Sequence, residues 1–266
     1  MKYSLSAKNL VCRNLESRAS YCASLLNPDH TKEITGVLRS DSGLLSYTFN
    51  QAVTNAVMPE RILQRFVVDY FAERHSPFTL WHTANKAFDD SSLAELGLKR
   101  GPSLVAMAVE VQRLAADESL PEALRDKLTI AQVRVDDLDD YAELQVSLFN
   151  GSREGPQVRK FYQRLKELPD QKRSRLKFYL ARLDGEAVAG GCLFASADAL
   201  GFYDQVTAEA HRGQGIGRAL FHHLVAQALH SHHKYAVVLV PENRQQLLLD
   251  IGFFAVGEVA SYRFEP

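Results

Sequence analysis

The residues best suited to chemistry lie in one run, His211-Arg212-Gly213-Gln214-Gly215-Ile216-Gly217-Arg218-Ala219-Leu220. Without a Cβ, Gly213, Gly215 and Gly217 allow a tight turn and let backbone N–H groups come close to a ligand. A strand pattern precedes the run and a helix pattern follows it. The amides therefore fall at a helix start, where first-turn donors lack intrahelical partners and the dipole end is positive. That arrangement suits a pyrophosphate, and Arg212 and Arg218 flank it with the planar fork that pairs with phosphate oxygens. A dinucleotide fingerprint would instead sit in an N-terminal βαβ unit, with an acidic residue about 20 positions on. Here the loop comes late in the chain.

The hexapeptide Arg212-Gly213-Gln214-Gly215-Ile216-Gly217 resembles the (Arg/Gln)-x-x-Gly-x-(Gly/Ala) signature of the GCN5-related N-acetyltransferases, the GNAT family. The resemblance extends over about Leu128 to Phe264. It includes a strand at Tyr203 to Thr207 in the place of the family's fourth strand, and Gly252-Phe253 after the last short helix. It implies acetyl-CoA as co-substrate and a primary amine as acceptor. Backbone groups of Gln205, Val206 and Thr207 would hold the pantetheine arm, one of their amides polarising the thioester carbonyl. The loop from Arg212 to Arg218 would take the pyrophosphate, and Asn243 resembles a cofactor-contacting asparagine ahead of the last helix. Many members carry a tyrosine four residues before the glycine of Gly-Phe as the acid for the leaving thiolate. This chain has Leu248 there, which has no proton to give. Tyr203 and Asp204, beside the thioester position, are the substitute catalytic candidates; strand alternation predicts that they face opposite ways. The competing reading is an acyl-CoA-binding regulatory or scaffold protein without turnover.

The elements that must position this loop are legible around it. Strands are predicted at Leu128 to Val133, Leu176 to Leu183, Ala187 to Ala195, Leu200 to Thr207, Tyr235 to Val240 and Phe254 to Phe264, with Asp184-Gly185 as a two-residue hairpin turn. Helices are predicted at Leu138 to Phe149, about Gln157 to Leu168, Gly215 to Ser231 and Arg244 to Asp250, with a turn at Asn150-Gly151. An offset of 155 residues carries Leu44 to Ala52 onto a late strand, Ile62 to Arg74 onto the late helix and Leu96-Gly97-Leu98 onto Ile251-Gly252-Phe253. Phe78 to Thr83 and Ser103 to Val111 read as further strands. The expected architecture is α/β, with two tandem GNAT-like domains: a degenerate copy at 1–113, a linker at 114–127 holding a short helix broken at Pro121, and the acetyltransferase domain at 128–266. In the first copy the loop position holds Val57-Met58-Pro59-Glu60-Arg61-Ile62. It has no glycine, a proline that removes a donor, and a glutamate that repels phosphate.

The chain has 266 residues, 46% hydrophobic and 24% charged, a mixture that folds. Thirty-one Lys and Arg against 32 Asp and Glu leave a net charge of −1 and no global attraction to nucleic acid or an anionic membrane. No apolar run reaches 18 residues, so no membrane span is expected. Cys12, Cys22 and Cys192 show no paired spacing, which points to a reducing, cytoplasmic setting. The histidines 211, 222, 223, 230, 232 and 233 lack the carboxylate or thiolate company of a metal site. Trp81, Phe78 and Leu80 read as core, and Lys172 to Lys177 as an exposed lead into a strand. Because only one of the two loop positions keeps its glycines, titration calorimetry should find one CoA per chain. Two equivalent sites would contradict that.

Overall fold

The computed structural model describes residues 2–29, 31–34, 36–84, 88–117, 119–149 and 151–266, with side chains of the first helix described from Ala7. Asn150, half of the predicted Asn-Gly turn, lies outside the described residues. The chain forms two compact units. The first comprises 1–107, 239–245 and 255–266; the second comprises 108–238 and 246–254. The units are thus not collinear with the sequence. The linear division expects 128–266 to stay together and 114–127 to act as a linker. Instead the tail 255–266 belongs to the first unit, and 108–127 is integral to the second.

In the first unit, β1 (Thr31–Ile34), β2 (Val37–Ser40) and β3 (Gln51–Thr54) run antiparallel in order, and β4 (Phe78–His82) lies parallel to β3. The last strand of the chain, β12 (Phe254–Phe264), pairs antiparallel with β4 through Ala260–Phe264 and with β5 (Leu98–Arg100). The helix α1 (Lys2–Leu26) turns Val11, Leu15, Ala19 and Ala23 inward at four-residue spacing. Between β3 and β4 the chain is helical over 60–72: α2 (Glu60–Leu63), a π turn Gln64–Val68, and α3 (Asp69–Ala72). At the π turn, the Phe66 carbonyl accepts from Arg39 Nη1 at 2.6 Å, and that guanidinium lies over the Tyr70 ring. A helical carbonyl taken by a side chain is one way a turn widens. Phe71 stacks on Phe78, which meets Phe264, all three in one apolar core.

The expected strand at Leu44 to Ala52 is confined to Gln51 onward. The preceding stretch is irregular because side chains capture its backbone. Asn50 accepts from Ser42 N–H and Oγ and donates to Leu44 O, Ser76 Oγ and Pro77 O. Such local bonds compete successfully with a ladder. A short helix, α4 (Asp90–Glu95), precedes β5, and β6 (Leu104–Glu110) leads out of the first unit after Met107.

In the second unit, β7 (Leu128–Gln132), β8 (Leu176–Leu183), β9 (Glu186–Ala195) and β10 (Leu200–Thr207) form an antiparallel meander, and β11 (Tyr235–Val240) joins β10 in parallel. Asp184 and Gly185 both have positive φ, as a two-residue hairpin turn requires. Two helices, α5 (Leu138–Val146) and α8 (Ile216–Leu229), cover opposite faces of β9. A Cβ on Gly190 would lie 3.1 Å from the Tyr141 ring, and one on Gly191 would lie 2.9 Å from Leu224. The helix α6 (Glu154–Glu167) begins three residues before its expected start, with Pro156 in its first turn where no N–H partner is lost. The short helices α7 (Asp170–Arg173) and α9 (Gln245–Ile251) complete the set.

Among its described residues the segment 114–127 contains no α-helix. A 3-10 turn at Glu122–Leu124 follows Pro121, residues 125–127 continue as a turn, and residues 114–117 are pinned. Ala115 N–H bonds Ile251 O, Asp117 N–H bonds His222 Nδ1, and Leu114 and Leu124 are buried. No helix of the described residues is long and apolar enough to cross a membrane.

Since β12 completes the first unit, Phe264→Ala should act at a distance in sequence. Loss of a buried ring at this site costs about 3 kcal/mol. Hydrogen exchange should quicken at Phe78–His82 and Leu98–Arg100 while β8 and β9 keep their protection. Faster exchange confined to the second unit would contradict the assignment.

Candidate functional site

Backbone pairing defines the site. The parallel ladder between β10 and β11 covers Leu200 with Ala236, Gly201 with Val237 and Phe202 with Val238, and β10 then continues alone on that side to Thr207. On its other side the register against β9 passes from Tyr203–Cys192 to Val206–Gly190, so one extra residue is inserted as a bulge. Asp204 sits in the bulge with φ of 54°, in the left-handed region that non-glycine residues seldom adopt. Strict alternation therefore does not hold through 203–206. Tyr203 is half-buried with its ring edge-on to Phe194, Gln205 is exposed and Val206 is buried.

After Thr207 the chain makes a 3-10 turn, Glu209–His211, then the glycine loop and α8. Gly213 and Gly215 have φ of 78° and 84°, and Gly215 is the residue immediately ahead of the helix. A Cβ on Gly217 would stand 2.8 Å from Thr207 Oγ1, so a side chain there would force Thr207 or the first helical turn to shift. Arg212 folds back, its Nε donating to Thr207 O at 3.2 Å, and Gln214 Nε2 donates to Ala210 O. Ile216 is buried and anchors the helix, whereas Arg212, Gly213, Gln214, Gly217 and Arg218 are exposed. An exposed first turn, a positive dipole end and two guanidinium groups suit a pyrophosphate in charge.

Asp117 and Pro121 both meet the same helix or its start. Pro121 Cγ stands 3.3 Å from where a Cβ on Gly215 would be. His222, on α8, is buried, and its Nδ1 accepts the Asp117 N–H at 3.0 Å. An accepting Nδ1 fixes the neutral tautomer with hydrogen on Nε2. Burial, and then Arg218 nearby, hold its pKa below the ordinary histidine value, against the pull of Asp117.

Other sequence candidates fall elsewhere. Asn243 is exposed in the 3-10 turn Glu242–Arg244, within the 239–245 segment of the first unit. Leu248 is 2% exposed, a core side chain whose carbonyl accepts from Phe253 N–H. Phe78 and Leu80 are fully buried and Trp81 half-buried in β4. In the basic run, Arg173 pairs with Asp170, and Arg175 lies over the Phe194 ring with its Nε on Ala195 O. His230 and His233 ring nitrogens contact the carbonyls of Ala226 and Ser196. Among the described residues no group of three or more His, Cys, Asp or Glu is arranged to hold a metal ion. Sequence reasoning missed Gln145, whose buried side chain reaches the Asp204 carbonyl at 2.7 Å. A glutamine inside an amphipathic helix gives no signal of that destination.

Residues 106–241 match the family model described as acetyltransferase (GNAT) domain. Among solved structures, the chain is similar to a GCN5-related N-acetyltransferase from Kribbella flavida, at 14% identity and TM-score 0.67, over 96% of each chain. It is also similar to a functionally unknown conserved protein from Staphylococcus epidermidis, at 15% identity and TM-score 0.67, over 88% of this chain and 92% of that one. A tandem GNAT protein from the clavulanic acid biosynthesis pathway matches at 13% identity and TM-score 0.54, over 86% of this chain and 77% of that one. These likenesses are of fold. No curated protein matches the chain.

The lowered pKa of His222 makes a stability prediction. The unfolded chain takes up this proton more readily than the folded one. Stability from His222 is therefore complete above its unfolded value of about 6.5 and is lost as pH falls through the window below it. Urea midpoints between pH 7.5 and 5 should fall more steeply for the natural protein than for His222→Gln. Parallel curves would contradict the buried neutral state.

Proposed function

Because the chain belongs to the GNAT acetyltransferase family, we propose that its second unit binds acetyl-CoA, the co-substrate typical of that family, and transfers the acetyl group to a primary amine. One observation carries the reading. A strand that parts from its parallel neighbour ends against a glycine loop at a helix start, and Gly217 is in contact range of Thr207. In this reading the loop from Arg212 to Arg218 takes the pyrophosphate through the amides of Gly213 to Gly217, while Gln205, Val206 and Thr207 offer backbone groups to the pantetheine arm. The first unit is the same fold without a cofactor loop: its helix starts after Pro59, with Glu60 in the first turn.

The chemistry asks little of side chains. A neutral amine nitrogen attacks the thioester carbon; the C–N bond forms, the C–S bond breaks, and the nitrogen loses one proton to a base or a water. A backbone amide of β10 stabilises the oxygen that gains charge. The departing thiolate takes a proton from Tyr203 or from water, and Asp204 is the alternative group at that position. Leu248 cannot take part, being an aliphatic core residue. It also favours a second reading, a CoA-binding protein without turnover.

Thiol release from acetyl-CoA, followed across a panel of amines, separates the two readings. Turnover above spontaneous hydrolysis is expected. Tyr203→Phe should lower kcat by about 10²-fold with CoA affinity unchanged, as for loss of an acid acting only in the transition state. Tight CoA binding with no thiol release would replace the enzyme reading by the binding one. Release that is indifferent to Tyr203→Phe would leave proton delivery to water.

A further inference from the structure

The bulge in β10 needs a partner for its displaced carbonyl, and α5 supplies one. Gln145 is 5% exposed on α5, and its Nε2 donates to Asp204 O at 2.7 Å. A carbonyl oxygen accepts only, so the amide's NH2 end must face it. The contact has a directional consequence. Strand carbonyls normally lie in the plane of the sheet, yet α5 packs on the face of β9 marked by Gly190 and Tyr141, while α8 packs on the face marked by Gly191 and Leu224. A carbonyl that reaches α5 has left the sheet plane. The N–H of Gln205 belongs to the same trans peptide and points the opposite way. It is therefore directed toward the α8 face, whose helix begins at the glycine loop. The left-handed conformation of Asp204 is what rotates this peptide, and it persists only where surrounding contacts hold it.

We propose that Gln145 is a positioning residue for acyl transfer: by holding the Asp204 carbonyl it fixes the Asp204–Gln205 peptide and aims the Gln205 amide as the donor to the thioester oxygen. This rests on the acetyl-CoA reading of the second unit and narrows it to one amide and the side chain that sets it. Gln145 itself touches no substrate. Its replacement should act on the transition state, where the oxyanion develops, and leave the pyrophosphate loop unaffected.

Two variants test the assignment. Gln145→Met keeps length and apolar packing but cannot donate. Its kcat for thiol release should fall about 10²-fold, the scale of a lost or misplaced oxyanion donor, while the Kd for CoA stays within about threefold. Gln145→Glu can donate to the carbonyl only when protonated. Relative to the natural protein, its kcat should recover as pH is lowered from 8 to 6, whereas the deficit of Gln145→Met should not change with pH. In parallel, the amide resonance of Gln205 in ligand-free protein should shift in Gln145→Met. A variant with normal kcat and merely lower thermal stability would overturn the assignment, as would an unmoved Gln205 amide. If Gln145→Met does not fold, the pH profile of Gln145→Glu decides alone, and a flat ratio would also overturn it. Failure of the acetyltransferase reading is distinguishable, since then the natural protein itself releases no thiol; that result removes this role with it.

Discussion

A strand that parts from a parallel neighbour must still satisfy its backbone polar groups, and this requirement organises the second unit. Beyond Phe202 the ladder to β11 ends. The Asp204 carbonyl, in the bulge against β9, goes to Gln145 and the Thr207 carbonyl goes to Arg212, so side chains from an earlier helix and a later loop take up these two backbone acceptors. Each substitution has a structural consequence. The first rotates a peptide out of the sheet; the second draws the glycine loop back onto the strand end, where Gly217 leaves room for Thr207. Exposed backbone donors and a cationic loop thus arise from the same hydrogen-bond accounting.

The first unit solves a different problem with the same α/β parts. Its parallel pair β3 and β4 is joined by the helical run 60–72, as β10 and β11 are joined by α8. At the helix start, however, Pro59 and Glu60 replace glycines, and the helix interior opens into a π turn around Arg39. Its sheet is completed by β12, the last strand of the chain. Pairing of residues near 80 with residues near 262 is a highly non-local closure. Such a pairing raises the contact order of the first unit above that of its local helices.

Much of the second unit was legible because its signals are local. Periodicity set β8, β10 and β11 at their observed limits, Asp184-Gly185 specified its turn, and glycine spacing marked the loop. What stayed hidden depends on partners distant in sequence. The pattern of Phe254–Phe264 announces a strand but not that it would lie beside Phe78–His82. Leu44 to Asn50 looks like a strand until Asn50 is seen gathering Ser42 and Ser76. The polar run 114–127 resembles a linker because its anchors, His222 and Ile251, lie over a hundred residues away. The bulge at Asp204 has no composition signature, and alternation fails there without warning. The helix α1 carries buried Asn14 and Arg18 on its inner face, which blurs the apolar stripe.

The central claim is that one segment, the end of β10 with the glycine loop after it, forms the acyl-CoA site. Amide resonances followed through a CoA titration test it most directly. The account predicts shifts concentrated in 204–207 and 212–218, with residues 55–61 of the first unit unmoved. Shifts centred on 55–61, or CoA binding that leaves 204–218 unchanged, would contradict it.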